Sequence, residues 1–459
     1  MVVDTVIAGG TLATAAGTFD GSLAIDGETI VAVGAESELP SGEERIDASE
    51  KLVLPGIVDP HVHAADPFSA DPYETATAAA ALGGVTTYLD FAWQPYDTPD
   101  SPWDYDGTLT EAVEDKRSLE TEARIDFGLH GGIEREDPAI FEEFDGLIEQ
   151  GVTSFKMFTA YDEALSNGFI YQVFEELAAR EAVAVLHTEE NSICEMLTAR
   201  YKAEHRDDPT WYPKSRPGYA EAMAAADVVR IAEEVGTKYY GVHTSCAEAV
   251  DVIERHQDDG SQIRAETCTQ YTALDESMYE TVGTLAKIAP PLRSSRDRDA
   301  MFEALSTGGL SVVSTDHVAI PHEEKRTDEW WKPAFGMNSL QVSLPVFHDE
   351  AVVKRGFSYP FLVSVMCTNP ARTFGLPQKG TLDPGTDADI VVFDPEATWT
   401  IDEDDIVSTA GYSLYDGHEV TGRVDRTYVR GRCVAADGEL RGDTGYGEYI
   451  PRERPDWSQ

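Results

Sequence analysis

No apolar stretch in the 459-residue chain reaches the ~18 residues that a membrane-crossing helix needs. Its first residues, Met1-Val-Val-Asp-Thr, lack the basic start of a secretory leader. Neither a span nor a signal peptide is expected, which points to the cytoplasm. Basic residues are scarce: 35 Lys and Arg stand against 84 Asp and Glu, a net charge of −49. Such a field repels nucleic acid and anionic membrane, and so excludes both as partners. Cysteine is scarce as well. Cys194, Cys246, Cys268, Cys367 and Cys433 are odd in number, widely spaced and without a Cys-x-x-Cys pair, which argues against a disulfide framework or a zinc knuckle.

The acidic residues are spread through every segment instead of forming a tail, as at Glu36, Glu38, Glu43, Glu44 and Asp402 to Asp405. A surface of this kind repels itself, and salt relieves the repulsion because the Debye length falls to about 3 Å at 1 M. The composition therefore reads as adaptation to high salt.

Six potential metal ligands stand at or near the ends of short apolar, strand-like runs. Leu52-Val-Leu-Pro-Gly-Ile-Val-Asp-Pro-His61-Val-His63 places two imidazoles at i and i+2, on one side of an extended strand, where both can grip one cation. Lys156 follows Thr153-Ser-Phe, His187 ends Val183-Ala-Val-Leu, His243 ends Lys238-Tyr-Tyr-Gly-Val, and Asp316 ends Leu310-Ser-Val-Val-Ser-Thr. Between such runs lie helical patterns, among them the alanine-rich Tyr73 to Gly84, then Leu109 to Glu120, Pro138 to Glu149, Phe169 to Arg180, Tyr219 to Val235, Ala247 to Gln257 and Arg296 to Leu305. Eight strands alternating with helices predict an α/β fold, a (β/α)8 barrel, whose catalytic groups gather at the carboxyl ends of the strands. Both termini instead show short alternating strands punctuated by glycine, and predict one small β-sandwich domain. The expected division is 1–54 and 374–459 for that domain and 55–373 for the barrel. The long unpatterned stretches Trp93 to Gly107, Tyr201 to Gly218 and Pro321 to Leu340 fall after strands two, five and eight, where loops shape a substrate pocket.

Six segments follow one another over nearly the whole chain: Pro55-Gly-Ile-Val-Asp-Pro-His-Val-His63, Ser154-Phe-Lys-Met-Phe-Thr-Ala-Tyr161, Glu266-Thr-Cys-Thr-Gln-Tyr271, Pro290-Pro-Leu-Arg293, Thr315-Asp-His317 and Lys379-Gly-Thr-Leu-Asp-Pro-Gly-Thr-Asp-Ala-Asp389. On these the chain resembles the cyclic amidohydrolases, specifically the dihydropyrimidinase and hydantoinase branch of the amidohydrolase superfamily. The resemblance implies two divalent metal ions, zinc by default with manganese or cobalt equally suited to the donors. His61 and His63 would hold one and His187 and His243 the other, with Asp316 as a further ligand. Lys156 would bridge both as N6-carboxylysine, because a bare ammonium cannot face two cations. A water between the metals would ionise and attack the ring carbonyl, Tyr161 would stabilise the oxyanion, and Asp316 would carry the proton to the leaving nitrogen.

Asn338 resembles the family's substrate-amide contact, and Ala289 occupies a position where hydantoinases often carry serine and contact substrate through backbone. The chain departs from the branch at Ser339 and Gln341, where glycine and glutamate are usual, and its Leu340-Gln341 pair resembles allantoinases. Dihydroorotases commonly place an arginine after the His-x-His pair; here Ala64-Ala65-Asp66 follows, which favours uncharged small-molecule rings such as dihydrouracil, dihydrothymine or 5-substituted hydantoins, with allantoin as the alternative. Scaffold proteins of the family have lost metal ligands, whereas this chain keeps all six. Relatives are commonly homodimers or homotetramers, and Phe357-Ser-Tyr-Pro-Phe-Leu-Val363 suits either an interface or the core. His130 reads as a satisfied core histidine, His317 as a neighbour of the ligands, and His205, His256, His322, His348 and His418 as surface residues.

Overall fold

The computed structural model describes residues 2–97, 103, 105–257 and 262–458. Parts of the Trp93 to Gly107 stretch, and Met1 and Gln459 at the ends, lie outside them.

Eight parallel strands run in sequence order: Ile57–Asp59, Val85–Trp93, Asp126–Gly132, Ser154–Phe158, Val183–His187, Lys238–Gly241, Ile263–Cys268 and Val312–Ser314. Nearly every position on them is buried, as expected of parallel strands with side chains filling one face and helices covering the other. The ring closes at its rim, where Val62 bridges His317 and the His63 amide donates to His317 O at 2.9 Å.

The intervening helices follow local chemistry. The helix Tyr73–Gly83 stops at Gly84, whose φ of 83° lets its amide turn back to the Ala80 and Ala81 carbonyls. Leu109–Ser118 starts with a capping box between Thr108 and Glu111. One helix is not marked in the sequence: Asn191–Ala203 follows the His187 strand and buries only Cys194 and Leu197, too narrow an apolar stripe to read by periodicity. Glu190 starts it by accepting from the Ile193 amide. Among the described residues no helix is long and apolar enough to cross a membrane.

Both termini build a second, nine-stranded mixed sheet, in which Leu52–Pro55 pairs with Val2–Thr14 on one side and Ile390–Thr400 on the other. Ile7, Leu12, Leu23, Ile25, Val53, Ile390 and Val392 fill its core. A buried ion cluster joins the C-terminal segment to the barrel: Lys379 Nζ lies 2.5 Å from Asp126 and 3.0 Å from Asp389, and Arg430 Nε lies 3.1 Å from the same Asp126 carboxylate. Two expectations resolve here. Leu362 and Val363 are buried in the helix Tyr359–Val363, and the half-buried Phe357, Tyr359 and Phe361 pack against the main core, so the stretch contributes to the core. His348 is not a surface residue: it is buried, with Nδ1 2.7 Å from Thr421 O, because its π-helical segment packs against the strand Glu419–Val429.

Candidate metal centre

The barrel brings the sequence-predicted residues to the carboxyl ends of its strands. His61 and His63 lie just past the first strand, Lys156 within the fourth, His187 at the end of the fifth, His243 past the sixth and Asp316 past the eighth. Tyr161, His243 and Asp316 have φ of 68°, 38° and 47°, a left-handed backbone that non-glycine residues avoid. Such strain persists only where surrounding packing fixes it, and it clusters at functional sites.

The ligand candidates fall into two groups. His61 Nε2 and His63 Nε2 approach Asp316 Oδ1 at 3.1 and 3.7 Å, and one donor atom from each of the three lies within 4.8 Å of the others. Opposite them, His187 Nδ1 faces His243 Nε2 at 2.8 Å, and the His61 and His243 rings stack with centroids 5.4 Å apart. Lys156 is buried near these groups, its ammonium 5.4 and 5.1 Å from the Phe91 and Phe158 ring centroids. It forms no ion pair with any described residue.

The outward nitrogens are tied to carboxylates. His61 Nδ1 lies 2.7 Å from Glu266 Oε1, His63 Nδ1 3.3 Å from Asp66, and His187 Nε2 3.0 Å from Glu189. Burial alone would raise the Glu189 carboxyl, but Arg216 and His187 outweigh it and hold it well below its ordinary value. An ionised Glu189 fixes the proton on His187 Nε2, which leaves the Nδ1 lone pair facing His243. The other ring nitrogen of His243 is buried without a partner.

These observations fit a divalent cation. Burial, aided by the Lys156 charge, pushes His61 well below the usual imidazole range and brings His187 to about 4, so the rings are neutral and ready to ligate. Burial likewise lowers the Lys156 amine to about 8 against the opposing pull of Asp316 and Glu266. An amine with no ion-pair contact among the described residues, and close to its neutral form, suits conversion to a carbamate. Burial pushes Glu266 up to about 8 although Tyr240 and the His243 amide donate to it; a cation on His61 would favour its ionised form.

Of the remaining sequence-predicted residues, Tyr161 lies against the centre, its ring centroid 5.0 Å from that of His187. Burial raises the Tyr161 phenol well above its ordinary value, which keeps it a donor, and its hydroxyl lies 3.4 Å from Glu189. Asn338 donates through Nδ2 to Tyr412 O at 2.9 Å, while its Oδ1 is buried and has no hydrogen-bond partner among the described residues. Ala289 precedes Pro290 in a segment whose Tyr212-bound neighbour, Ile288, is buried. Gln341 turns away to bind the Asp405 and Val407 backbone, so the departure at that position serves the fold. His130 is the satisfied core histidine expected, held by Ser154 and Pro60 O. His317 binds Asp71 at 2.9 Å and accepts from the Ser339 amide, which anchors the loop carrying Asn338.

Sequence reasoning did not single out Glu189 or Arg216, and it gave Glu266, seen only as part of a family segment, and Asp66, seen only as part of the pocket mouth, no role behind the histidines. A period-two reading past His187 could have singled out Glu189, two residues on; Glu266 stands 205 residues from His61 and gives no local signal.

Residues 52–434 match the amidohydrolase family. The chain is 34% identical to a D-hydantoinase of Streptomyces coelicolor, covering 98% of both chains. It is 32% identical to an allantoinase of Escherichia coli over 90% of each. Among solved structures, a dihydropyrimidinase from Brevibacillus agri superposes with a TM-score of 0.93 at 30% identity, covering 98% of this chain and 99% of the other.

Proposed function

The chain belongs to the amidohydrolase family, in its hydantoinase and dihydropyrimidinase branch, and from that membership we propose an enzyme that opens dihydrouracil, dihydrothymine or a 5-substituted hydantoin to the N-carbamoyl amino acid. The family implies a divalent metal centre. The observation that carries the finer reading is the pair of facing donor sets, His61, His63 and Asp316 on one side and His187 with His243 on the other, with an uncompensated Lys156 near both. Two ions, zinc by default, held by these residues and joined by carboxylated Lys156, would supply an ionised water and polarise the ring carbonyl.

The remaining steps belong to side chains. Asn338 Oδ1 accepts the ring N–H and the backbone at Ala289 contacts the ring amide, which together set the scissile carbonyl beside Tyr161. As the C–N bond breaks, the Tyr161 phenol donates to the developing oxyanion. Asp316, whose carboxyl burial raises against the pull of His63 and Lys156, takes the proton of the attacking water and delivers it to the leaving nitrogen. The water oxygen becomes part of the new carboxylate. Arg216, 4.8 Å from the Tyr161 ring centroid and 2.5 Å from Glu189, is a positioning residue that holds the phenol and the His187 tautomer together.

Lys156→Ala tests the reading. Purified in molar KCl, the variant should lose bound metal and its hydrolysis of dihydrouracil and hydantoin should fall by about 10³-fold or more. Retention of both metal and turnover would overturn it. The allantoinase relatives favour a second reading, and an allantoin rate far above the dihydrouracil rate would select it.

A further inference from the structure

A pocket of about 340 Å³ has Tyr161 on its wall, and neither His61 nor His63 lines it. Its walls are aromatic and cationic, an unusual surface on a chain of net charge −49. Lys287 is buried there, with its Nζ donating to Pro333 O at 2.6 Å and sitting 4.4 Å from the Phe335 ring centroid. Phe335 in turn lies 5.4 Å, centroid to centroid, from Tyr161. Lys202 stands exposed at the rim, 5.8 Å from the Trp331 centroid, and Arg216 is already neutralised by Glu189. The only other carboxylate on the described wall, Glu195, accepts from Asn191. Lys287 and Lys202 therefore have no carboxylate counterion among the described residues. Burial, with Arg216 and Lys202 as the charges acting on it, lowers Lys287 to about 7, so an arriving anion would bring it back to full charge.

We propose that this pocket binds a carboxylate of the ligand, with Lys287 on its wall and Lys202 at its rim as the counterions. The inference rests on the cyclic-amidohydrolase reading and extends it to the charge of what is bound. A carboxylate can come from two sources: an acidic arm on the ring substrate, or the group created when the ring C–N bond is hydrolysed. The sequence argument for uncharged rings rested on Ala64-Ala65-Asp66 standing where dihydroorotases place an arginine, but Asp66 is turned to His63 and to the Trp93 indole, so this segment does not set the charge on the Tyr161 side.

The test compares N-carbamoyl-β-alanine with its neutral amide, by calorimetry and by fluorescence of Trp330 and Trp331, in wild type, K202Q and K287M at the salt concentration where each is folded. The acid should bind at least tenfold more tightly than the amide, and each variant should shrink that preference several-fold. Kinetics on hydantoins carrying an acetate or an acetamide arm at C5 separates the sources. If the variants also lower the acetate-to-acetamide ratio of kcat/KM, the substrate arm uses the pocket; if only product binding changes, the pocket serves the nascent carboxylate. Equal binding of acid and amide in all three proteins, with rings still hydrolysed, overturns the inference and leaves the activity standing. Preferential acid binding without any ring opening overturns the activity instead. Lys202 is exposed, so K202Q carries the test should K287M fail to fold.

Discussion

His61 Nδ1 lies 2.7 Å from Glu266 Oε1, and both side chains are sealed from solvent. With a cation on His61 to keep Glu266 ionised, the carboxylate would fix the ring proton on Nδ1 and leave the Nε2 lone pair, which faces Asp316, free to ligate. A carboxylate behind a ligating imidazole raises its basicity, and removing one typically costs 10–100-fold in metal affinity. Glu266→Gln keeps the volume and an acceptor but removes the charge. Its metal affinity, measured by chelator competition, should fall by about that factor while the far-UV spectrum is unchanged. Wild-type affinity in the variant would reduce Glu266 to a packing role.

That pair also marks the limit of what the sequence discloses. His61-Val-His63 is legible because strand geometry puts i and i+2 on one side, and each of the other ligand candidates is legible because it closes a short apolar run. The strand and helix order follows for the same reason: parallel barrel strands buried on both faces read as continuous apolar runs. Glu266 and Arg216 meet their partners through space, 205 and 27 residues away in the chain, with no periodicity to announce them, whereas Glu189 stands two residues past His187 and was open to the same period-two reading. Asn191–Ala203 escaped because half of its surface faces solvent, and His348 because an isolated histidine carries no pattern until the strand that covers it is placed.

The acidic surface leads to a prediction about salt. Glu36, Glu38, Glu43, Glu44 and Asp402 to Asp405 are all exposed, and of these only Glu36 has an ion-pair partner, Arg45, among the described residues. Raising ionic strength from 0.1 to 1 M shortens the screening length from about 10 to 3 Å, which relieves the repulsion between such neighbours. Thermal unfolding followed by circular dichroism should shift upward by ten degrees or more between 0.1 and 2 M KCl, with activity lost in the dilute buffer. A melting temperature independent of KCl would mean that the charge is tolerated without salt.

The loop beside Tyr161 is pinned by two buried lysines, and this makes its stability depend on pH. Lys325 donates to the carbonyls of Lys287, Ala334 and Gly336, and Lys287 donates to Pro333 O. Burial holds Lys325 well below its ordinary value and Lys287 at about 7. In the unfolded chain both return to ~10.4. Between about pH 7 and 10 the unfolded state therefore binds more protons at position 287 than the folded state, so stability attributable to Lys287 rises with pH across that window and is flat below it. The comparison that isolates it is wild type against K287M by urea unfolding in molar KCl at pH 6.5 and 9.5. The wild-type advantage should grow by on the order of 2 kcal/mol at the higher pH. A constant difference would place Lys287 at an ordinary pKa, in contact with water, and an advantage that shrinks would mean that its charged form is the one the fold stabilises.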